Sequence, residues 1–187
     1  LGLGVGHHLP DLPRELLLAE AGYDGTPVVL LHSTGLYVLT NMAPIAKSLM
    51  EKSGLKVDMQ SMDWQTLVSR RAKRDPPDKG GWNVLITSTS GADSLDPLTY
   101  SFVGATCDKA WFGWPCDPGI EKLRDQIARS TNFSQQKALG VKLQVAAFAE
   151  VPYVNIGQWQ TPTAYRKQLS GVIISPVPFF WNIRKQE

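Results

Sequence analysis

The sequence predicts an α/β fold: a β-α-β-α-β core with a mostly parallel sheet, added helices and a returning strand. Three short runs, at residues 27–32, 55–62 and 82–87, have the apolar composition or the alternation of β-strands. Helical patterns at residues 37–52 and 64–73 separate them, with short connections on either side. Strands that alternate with helices in this way are typical of parallel sheets with right-handed crossovers.

Most of these elements have a recognisable start or stop. The first helix, predicted over residues 11–21, begins at a capping aspartate and stops at Gly22. Gly54 ends the helix of residues 37–52, and Asp63 is a capping residue for the helix after the second strand. The local residue types therefore support the same boundaries as the hydrophobic pattern.

The second half of the chain contains the added helices and the returning strand. Two amphipathic helices are predicted at residues 118–129 and 134–150. Pro118 suits a first helical turn, and Ser134 is the predicted cap of the second helix. Residues 151–160 are then predicted as the returning strand.

Charge and hydropathy exclude several classes of function. The 19 basic and 17 acidic residues leave a net charge of +2, which argues against a nucleic-acid or membrane-surface partner. The basic cluster at residues 70–74 closes a predicted helix, where cations offset the helix dipole; a polyanion site is the alternative. No apolar run approaches the roughly 20 residues that cross a bilayer, and no signal peptide is visible.

The only two cysteines, Cys107 and Cys116, bracket a short loop. A disulfide closing that loop contributes about 2–3 kcal/mol in the loop-entropy model, and two free buried thiols are the alternative. A disulfide indicates an oxidising compartment such as the periplasm or the cell exterior. We expect the aromatic residues Trp111, Phe112 and Trp114 to pack over this loop.

A polar loop after the third strand is the first candidate for a ligand contact. It contains Ser90, Asp93 and Asp96, followed by Pro97. In open α/β sheets, ligands sit beyond the carboxyl ends of the strands, so a carboxylate here is placed to bind a cationic group. The alternative is that Asp93 or Asp96 caps the turn that follows.

Further candidates lie at the ends of the first two strands. Tyr37 and Trp64 open helices there and are placed to stack on a ligand, with packing in the core as the alternative. His32 ends a strand and either lines the cleft or has a structural role. No G-x-S-x-G, H-E-x-x-H or P-loop motif is present, so an enzyme is disfavoured, and we predict no metal site and no cofactor.

Several segments, taken in order, carry a family resemblance. They are LLLAEAGYDG, IAKSLMEKSGLKVDMQSMDWQTLVSRR, ADSLDPLTY, CDPGIEKLRDQIARSTNFSQQKALGVKLQ, VPYVNIGQWQTPTAYRKQLSGV and PVPFFWNIRK. This ordered set resembles the C-terminal lobe of the family 5 extracellular solute-binding proteins of ATP-binding-cassette importers, the peptide- and nickel-binding class. The resemblance covers nearly the whole chain.

The resemblance implies a periplasmic-binding-protein-like fold, with residues 1–187 as a single C-terminal ligand-binding lobe. Residues 172–187 would be a tail that packs on the protein's own N-terminal lobe, which is absent here. Such a protein is exported to the periplasm or cell exterior and delivers a peptide or similar amine-bearing solute to an inner-membrane permease. A sensory or regulatory domain that reuses the same ligand-binding lobe is the alternative.

The resemblance also assigns roles to individual residues. Asp93 matches the family position whose carboxylate pairs with a peptide's α-amino group, and Arg71 matches a position that meets a ligand carboxylate. Ser90 stands where many members carry a tryptophan that forms a pocket wall, so a wider or more polar pocket is expected. The complete set of predicted ligand contacts is Asp93, Ser90, Trp64, Tyr37, His32 and Arg71.

Overall fold

The structure, a computed structural model, describes residues 14–175 and 177–186. The chain divides into two compact units, Leu1–Ser88 and Thr89–Glu187, and each has its own hydrophobic core. The predictions of a single lobe over residues 1–187 and of a tail at residues 172–187 that packs on a first lobe stay predictions.

A three-stranded parallel sheet organises the first unit. Strand β1 (Val28–Ser33) is central, with β2 (Val57–Met62) on one side and β3 (Val84–Leu85) on the other. Val28 lies opposite Val57, and the register continues to the strand ends, where Ser33 lies opposite Met62. The predicted parallel core is therefore confirmed, although the third strand is shorter than the run that predicted it.

In the described part of this unit, four helices accompany the sheet: α1 (Arg14–Glu20), α2 (Tyr37–Thr40), α3 (Met42–Lys52) and α4 (Trp64–Arg70). The predicted start of the first helix at Asp11 lies outside the described residues. Asp63 caps α4 as expected, since its carboxylate accepts a hydrogen bond from the Thr66 amide at 3.0 Å.

One predicted helix is in fact two. The helix expected over residues 37–52 is interrupted at Asn41, between α2 and α3. Pro44 is the physical cause, because it has no N–H to donate to the carbonyl of Thr40, four residues earlier, and its ring crowds that carbonyl.

Apolar layers cover both faces of the sheet. Leu30 packs with α2 and α3 in one layer, whereas Val29 and Leu31 pack with Leu67 of α4 in the other. A strand that is buried on both faces needs a continuous apolar run instead of an alternating one. This explains the composition of β1.

The second unit is built on two helices, α5 (Pro118–Arg129) and α6 (Phe133–Glu150). Asp117 caps α5 by accepting from the Gly119 amide at 2.6 Å. The predicted cap of α6, Ser134, is wrong: Asn132 caps this helix and accepts from the Gln135 amide at 3.0 Å. No helix in the described ranges is long and apolar enough to cross a membrane.

The returning strand predicted at residues 151–160 is wrong, because the structure has no strand there. Val151 ends α6 in the left-handed conformation, with φ of 49°. Pro152 follows, and it has no N–H to give to a sheet. A short antiparallel ribbon forms instead further along, from β4 (Leu169–Ser170) and β5 (Arg184–Lys185).

Candidate functional site

The carboxyl edge of the sheet in the first unit is formed by the ends of β1 and β2. The backbone amide of Thr34 donates to the Met62 carbonyl at 2.9 Å, and the Thr34 hydroxyl donates to the same oxygen at 3.1 Å. These two bonds tie the loop after β1 to the end of β2. The predicted site residues of this unit lie on the elements that start from this edge.

Trp64 lies directly against that loop. A side-chain carbon built on Gly35 would lie 3.5 Å from the Trp64 amide nitrogen, in ordinary van der Waals contact, so the loop and the start of α4 pack directly against each other. The indole is partly buried and packs against both apolar layers of the unit. Trp64 therefore combines core packing with some accessible surface.

Arg71 and Trp64 are neighbours in the first unit. The guanidinium carbon of Arg71 lies 6.0 Å from the centre of the Trp64 ring, at the outer limit of a cation–π contact. The preceding Arg70 has a structural role instead, donating from Nε and Nη2 to the carbonyls of Gly80 and Gly81 at 3.2 and 3.1 Å. In the basic cluster, Arg70 therefore holds the Gly80–Gly81 backbone by hydrogen bonds, and Arg71 lies over the Trp64 ring.

Tyr37 is the first residue of α2 and is 87% exposed. A side chain so accessible has little role in the core, so the alternative of core packing does not describe this residue.

His32 is buried, and both of its ring nitrogens have partners. Nε2 lies 2.9 Å from the Thr40 carbonyl oxygen, and Nδ1 lies 2.8 Å from the Ser61 hydroxyl. A carbonyl only accepts, so Nε2 donates to Thr40, and in the neutral ring Nδ1 then accepts from the Ser61 hydroxyl. His32 thereby donates the hydrogen bond to the Thr40 carbonyl that Pro44, without an N–H, cannot donate. This contact supports the structural role of His32, and a contact with ligand stays a prediction.

Ser90 and Asp93 lie together in the second unit, in the exposed loop after residue 88. The Asp93 amide donates to the Ser90 carbonyl at 3.0 Å. The Thr89 hydroxyl donates to Asp93 Oδ2 at 3.1 Å. Asp96 has the capping role, because its carboxylate accepts from the Leu98 amide at 2.8 Å.

The six predicted contacts therefore fall into two sets. His32, Tyr37, Trp64 and Arg71 belong to the first unit, and Ser90 and Asp93 to the second. That both sets contact the same ligand stays a prediction. Residues 33–35 were predicted only as a turn, although they line the carboxyl edge of the sheet. The sequence feature that indicates this role is a short segment of hydroxyl residues and glycine between a strand and a helix.

The cysteine loop of the second unit is a structural element. Cys107 and Cys116 form a disulfide, as predicted. Trp111 packs edge-on against Phe102, with ring centres 4.6 Å apart, and against Phe112 at 5.0 Å. A surface cavity of about 460 Å³ lies beside this loop.

The same aromatic cluster contains a partly buried tyrosine pair. Tyr100 lies edge-on to Tyr153, with ring centres 5.6 Å apart. Burial, together with the neighbouring Tyr153, raises the pKa of Tyr100 to about 12. Among the residues that the structure describes, no group of three or more histidine, cysteine or acidic side chains is arranged to hold a metal ion.

The chain is similar to a curated rhizobial protein. It is 35% identical over 176 residues to the probable peptide ABC transporter periplasmic-binding protein y4tO of Sinorhizobium fredii (strain NBRC 101917 / NGR234). The chain is a relative of the family 5 solute-binding proteins. The match covers 94% of this chain but only 33% of the rhizobial protein, so the chain spans about a third of that relative's length. No protein-family model matches the chain.

Solved structures show the same fold. The dipeptide-binding protein of Pseudoalteromonas sp. SM9913, solved with Met-Leu, matches 92% of this chain and 35% of its own, with a TM-score of 0.63 and 18% identity. NikA of Staphylococcus aureus, solved with Ni(L-His)2, matches 74% of this chain and 29% of its own, with a TM-score of 0.58 and 18% identity. The fold of a periplasmic-binding-protein lobe is therefore confirmed.

Proposed function

We propose that this chain is the C-terminal ligand-binding lobe of a solute-binding receptor that delivers a peptide or similar amine-bearing solute to an ATP-binding-cassette importer. The observation that carries the proposal is the 35% identity to the rhizobial peptide-transporter protein, which extends over 94% of this chain. A match of that extent includes the loop with Ser90 and Asp93 as well as the parallel sheet.

In the first unit, the proposed contacts are aromatic and cationic. Tyr37 is exposed and Trp64 lies at the carboxyl edge of the sheet, where ligands of α/β proteins bind. Aromatic rings there give a peptide an apolar stacking surface without demanding one sequence. Arg71, beside Trp64, is the proposed partner of a ligand carboxylate.

In the second unit, Asp93 is the proposed partner of the ligand's amino group. The Thr89 hydroxyl donates a hydrogen bond to Asp93 Oδ2, and Asp93 Oδ1 has no hydrogen-bond partner among the residues described. A hydrogen bond between an ammonium group and a carboxylate contributes about 1.5–3 kcal/mol. Ser90, in the place of a bulkier side chain, leaves a wider or more polar pocket beside it.

The remaining parts of the proposal concern partners and location. A first lobe would close over the ligand, and closure is favourable because ligand then contacts both lobes. The tail at residues 172–187 would pack on that lobe, in line with the exposure of Ile174 (100%), Phe180 (71%) and Trp181 (79%). An inner-membrane permease would receive the solute, and the Cys107–Cys116 disulfide suits the periplasm.

Native mass spectrometry of the full-length protein, purified from its own periplasm, would test the proposal by identifying a bound ligand. A peptide or other amine supports it. A sugar or metal chelate keeps the transport role and removes the proposed contacts. A protein that is empty and ignores a ligand panel favours the regulatory alternative.

The role of Asp93 has its own test. Asp93→Asn keeps an acceptor for the Thr89 hydroxyl but removes the charge, so we expect affinity for an amine-bearing ligand to fall about tenfold or more. Asp125→Asn is the matched control, because Asp125 is an exposed carboxylate on α5 that pairs with Arg129. Isothermal titration calorimetry measures both; equal affinities would remove Asp93 from the site.

A further inference from the structure

The cavity beside the cysteine loop (residues 107–116) contains none of the six predicted ligand contacts. Its volume is about 460 Å³, and sites for small molecules ordinarily measure about 300–1,000 Å³. Its lining comes from three parts of the second unit: residues 98–106, the cysteine loop and α5. This cavity therefore differs in every residue from the loop of Ser90 and Asp93.

Two aromatic side chains line the cavity. Trp111 and Phe112 are both partly exposed, and their ring centres lie 5.0 Å apart. Trp111 is held from behind by Phe102, whose ring centre lies 4.6 Å away in an edge-on arrangement. Aromatic rings attract other aromatic rings through stacked or edge-on contacts. The apolar part of the cavity therefore suits a ligand that contains an aromatic ring.

The cysteine loop is a preformed wall. The Cys107–Cys116 disulfide closes it, and the Cys107 amide donates to the Pro115 carbonyl at 3.0 Å. Cys107 and Trp114 have positive φ angles of 59° and 49°, which bulky residues adopt only where the surrounding structure imposes them. A wall that is already ordered loses little conformational freedom when a ligand binds.

Arg124 of α5 contributes a fixed guanidinium to the cavity. Its Nε and Nη2 donate to the carbonyls of Pro97 and Leu98 at 3.2 and 2.9 Å. Its Nη1 donates to both oxygens of the Glu121 carboxylate, at 2.7 and 2.9 Å. A guanidinium has five N–H groups, so one N–H of Nη2 has no partner among the residues described.

The charge of the lining is positive. Lys109 and Arg124 are its two charged residues, and no acidic side chain lines the cavity. Glu121 balances the charge of Arg124, whereas Lys109 is exposed and has no ion-pair partner in the part of the chain that the structure describes. The ammonium group of lysine and the N–H groups of arginine only donate. The matching ligand group is therefore an anion with acceptor oxygens.

We propose that this cavity binds a small aromatic carboxylate. The ring of the ligand lies against Trp111 and Phe112. One carboxylate oxygen accepts from Lys109 Nζ, and the remaining N–H of Arg124 Nη2 donates to the carboxylate as well. This site is additional to the proposed transport function, and it stands whether or not Asp93 contacts the transported solute.

Nuclear magnetic resonance titration of the full chain with naphthoate tests the site. We expect saturable binding that shifts the indole N–H signal of Trp111. Naphthamide has the same rings without the charge, and decalin carboxylate has the charge without the aromatic rings. Because the cavity supplies both kinds of contact, we expect each of them to bind about tenfold more weakly than naphthoate or worse.

Two variants locate the contacts. Lys109→Met keeps the length of the side chain and removes its charge, so it should weaken naphthoate binding about tenfold; Lys122→Met, at an exposed position of α5 outside the cavity, is the matched control. Phe112→Leu should weaken binding several-fold, and Phe133→Leu, at a 79% exposed aromatic position outside the cavity, should not. Circular dichroism checks that each variant keeps its helices.

The proposal is overturned if naphthoate shows no saturable binding up to its solubility limit, or if naphthamide binds as tightly. It is also overturned if Lys109→Met and Lys122→Met bind naphthoate equally well. Binding that Asp93→Asn abolishes while Lys109→Met leaves it intact would place naphthoate at the loop of Ser90 and Asp93, and this result would likewise overturn the proposal.

Discussion

The substitution His32→Leu measures how much the buried His32 stabilises the first unit by bonding the Thr40 carbonyl, which Pro44 cannot bond. Leucine has a similar size but donates no hydrogen bond. His32→Leu therefore removes the 2.9 Å bond to the Thr40 carbonyl and the 2.8 Å bond to the Ser61 hydroxyl. The apolar packing around β1 stays largely in place.

The expected cost follows from these two contacts. A neutral hydrogen bond contributes about 0.5–1.5 kcal/mol, and a buried group left without a partner costs about 1–3 kcal/mol. His32→Leu should therefore destabilise the first unit by about 2–4 kcal/mol. Pro44→Ala restores an N–H at position 44 that can donate to the Thr40 carbonyl, so in that background the cost of His32→Leu should fall by about 1 kcal/mol.

Hydrogen exchange of the β1 amides, followed by mass spectrometry, reports the opening free energy of the first unit separately from the second. Ser61→Ala is the control, because it removes only the contact at Nδ1 and should cost the same with Pro44 or Ala at position 44. If His32→Leu lowers the opening free energy equally with Pro44 and with Ala at position 44, then His32 and the restored amide do not share the Thr40 carbonyl as acceptor. That result would refute the reasoning.

Two further predictions concern the second unit. The double variant Cys107→Ser with Cys116→Ser should lower the free energy of urea unfolding of this unit by about 2–3 kcal/mol, since the disulfide closes a short loop with a sequence separation of 9. If alkylation of the unreduced chain labels two thiols, the disulfide is contradicted. Tyr100 should ionise near pH 12 instead of 10 in an absorbance titration. The folded chain then binds more protons between those values, so stability should fall as pH rises through that range. Tyr100→Phe should remove this part of the slope and Tyr165→Phe, at an exposed position, should not; equal slopes in the two variants would refute it.

Local chemistry made several elements of the fold predictable. The Asp63 and Asp117 caps act on amides two or three residues away, so the sequence pattern contains both partners. Pro44 was equally visible in the sequence, but its effect was missed because the apolar periodicity of residues 37–52 continues across it. The Ser134 cap failed for a similar reason, since Asn132, two residues earlier, is an equally good capping residue.

The candidate site was predictable only in outline. That polar and aromatic residues follow the strands is a property of chain order, and the carboxyl ends of parallel strands share one edge. Which of them have free surface depends on distant partners: His32 meets Ser61, 29 positions away, while Tyr37 remains exposed. The returning strand failed at residues 151–160 because a strand needs a neighbour, and local apolar character does not supply one.

The sequence by itself determined the parallel β-α-β-α-β core, the Asp63 cap of α4, the first turn of α5 at Pro118 and the paired cysteines, because these depend on periodicity and on residues close together in the chain. Only the tertiary structure decided that His32 donates the hydrogen bond that Pro44 cannot donate. It also decided that Arg70 bonds the Gly80–Gly81 backbone and that α6 keeps a second apolar face exposed. These outcomes depend on contacts between segments far apart in the chain, and their energies have no counterpart in any local pattern.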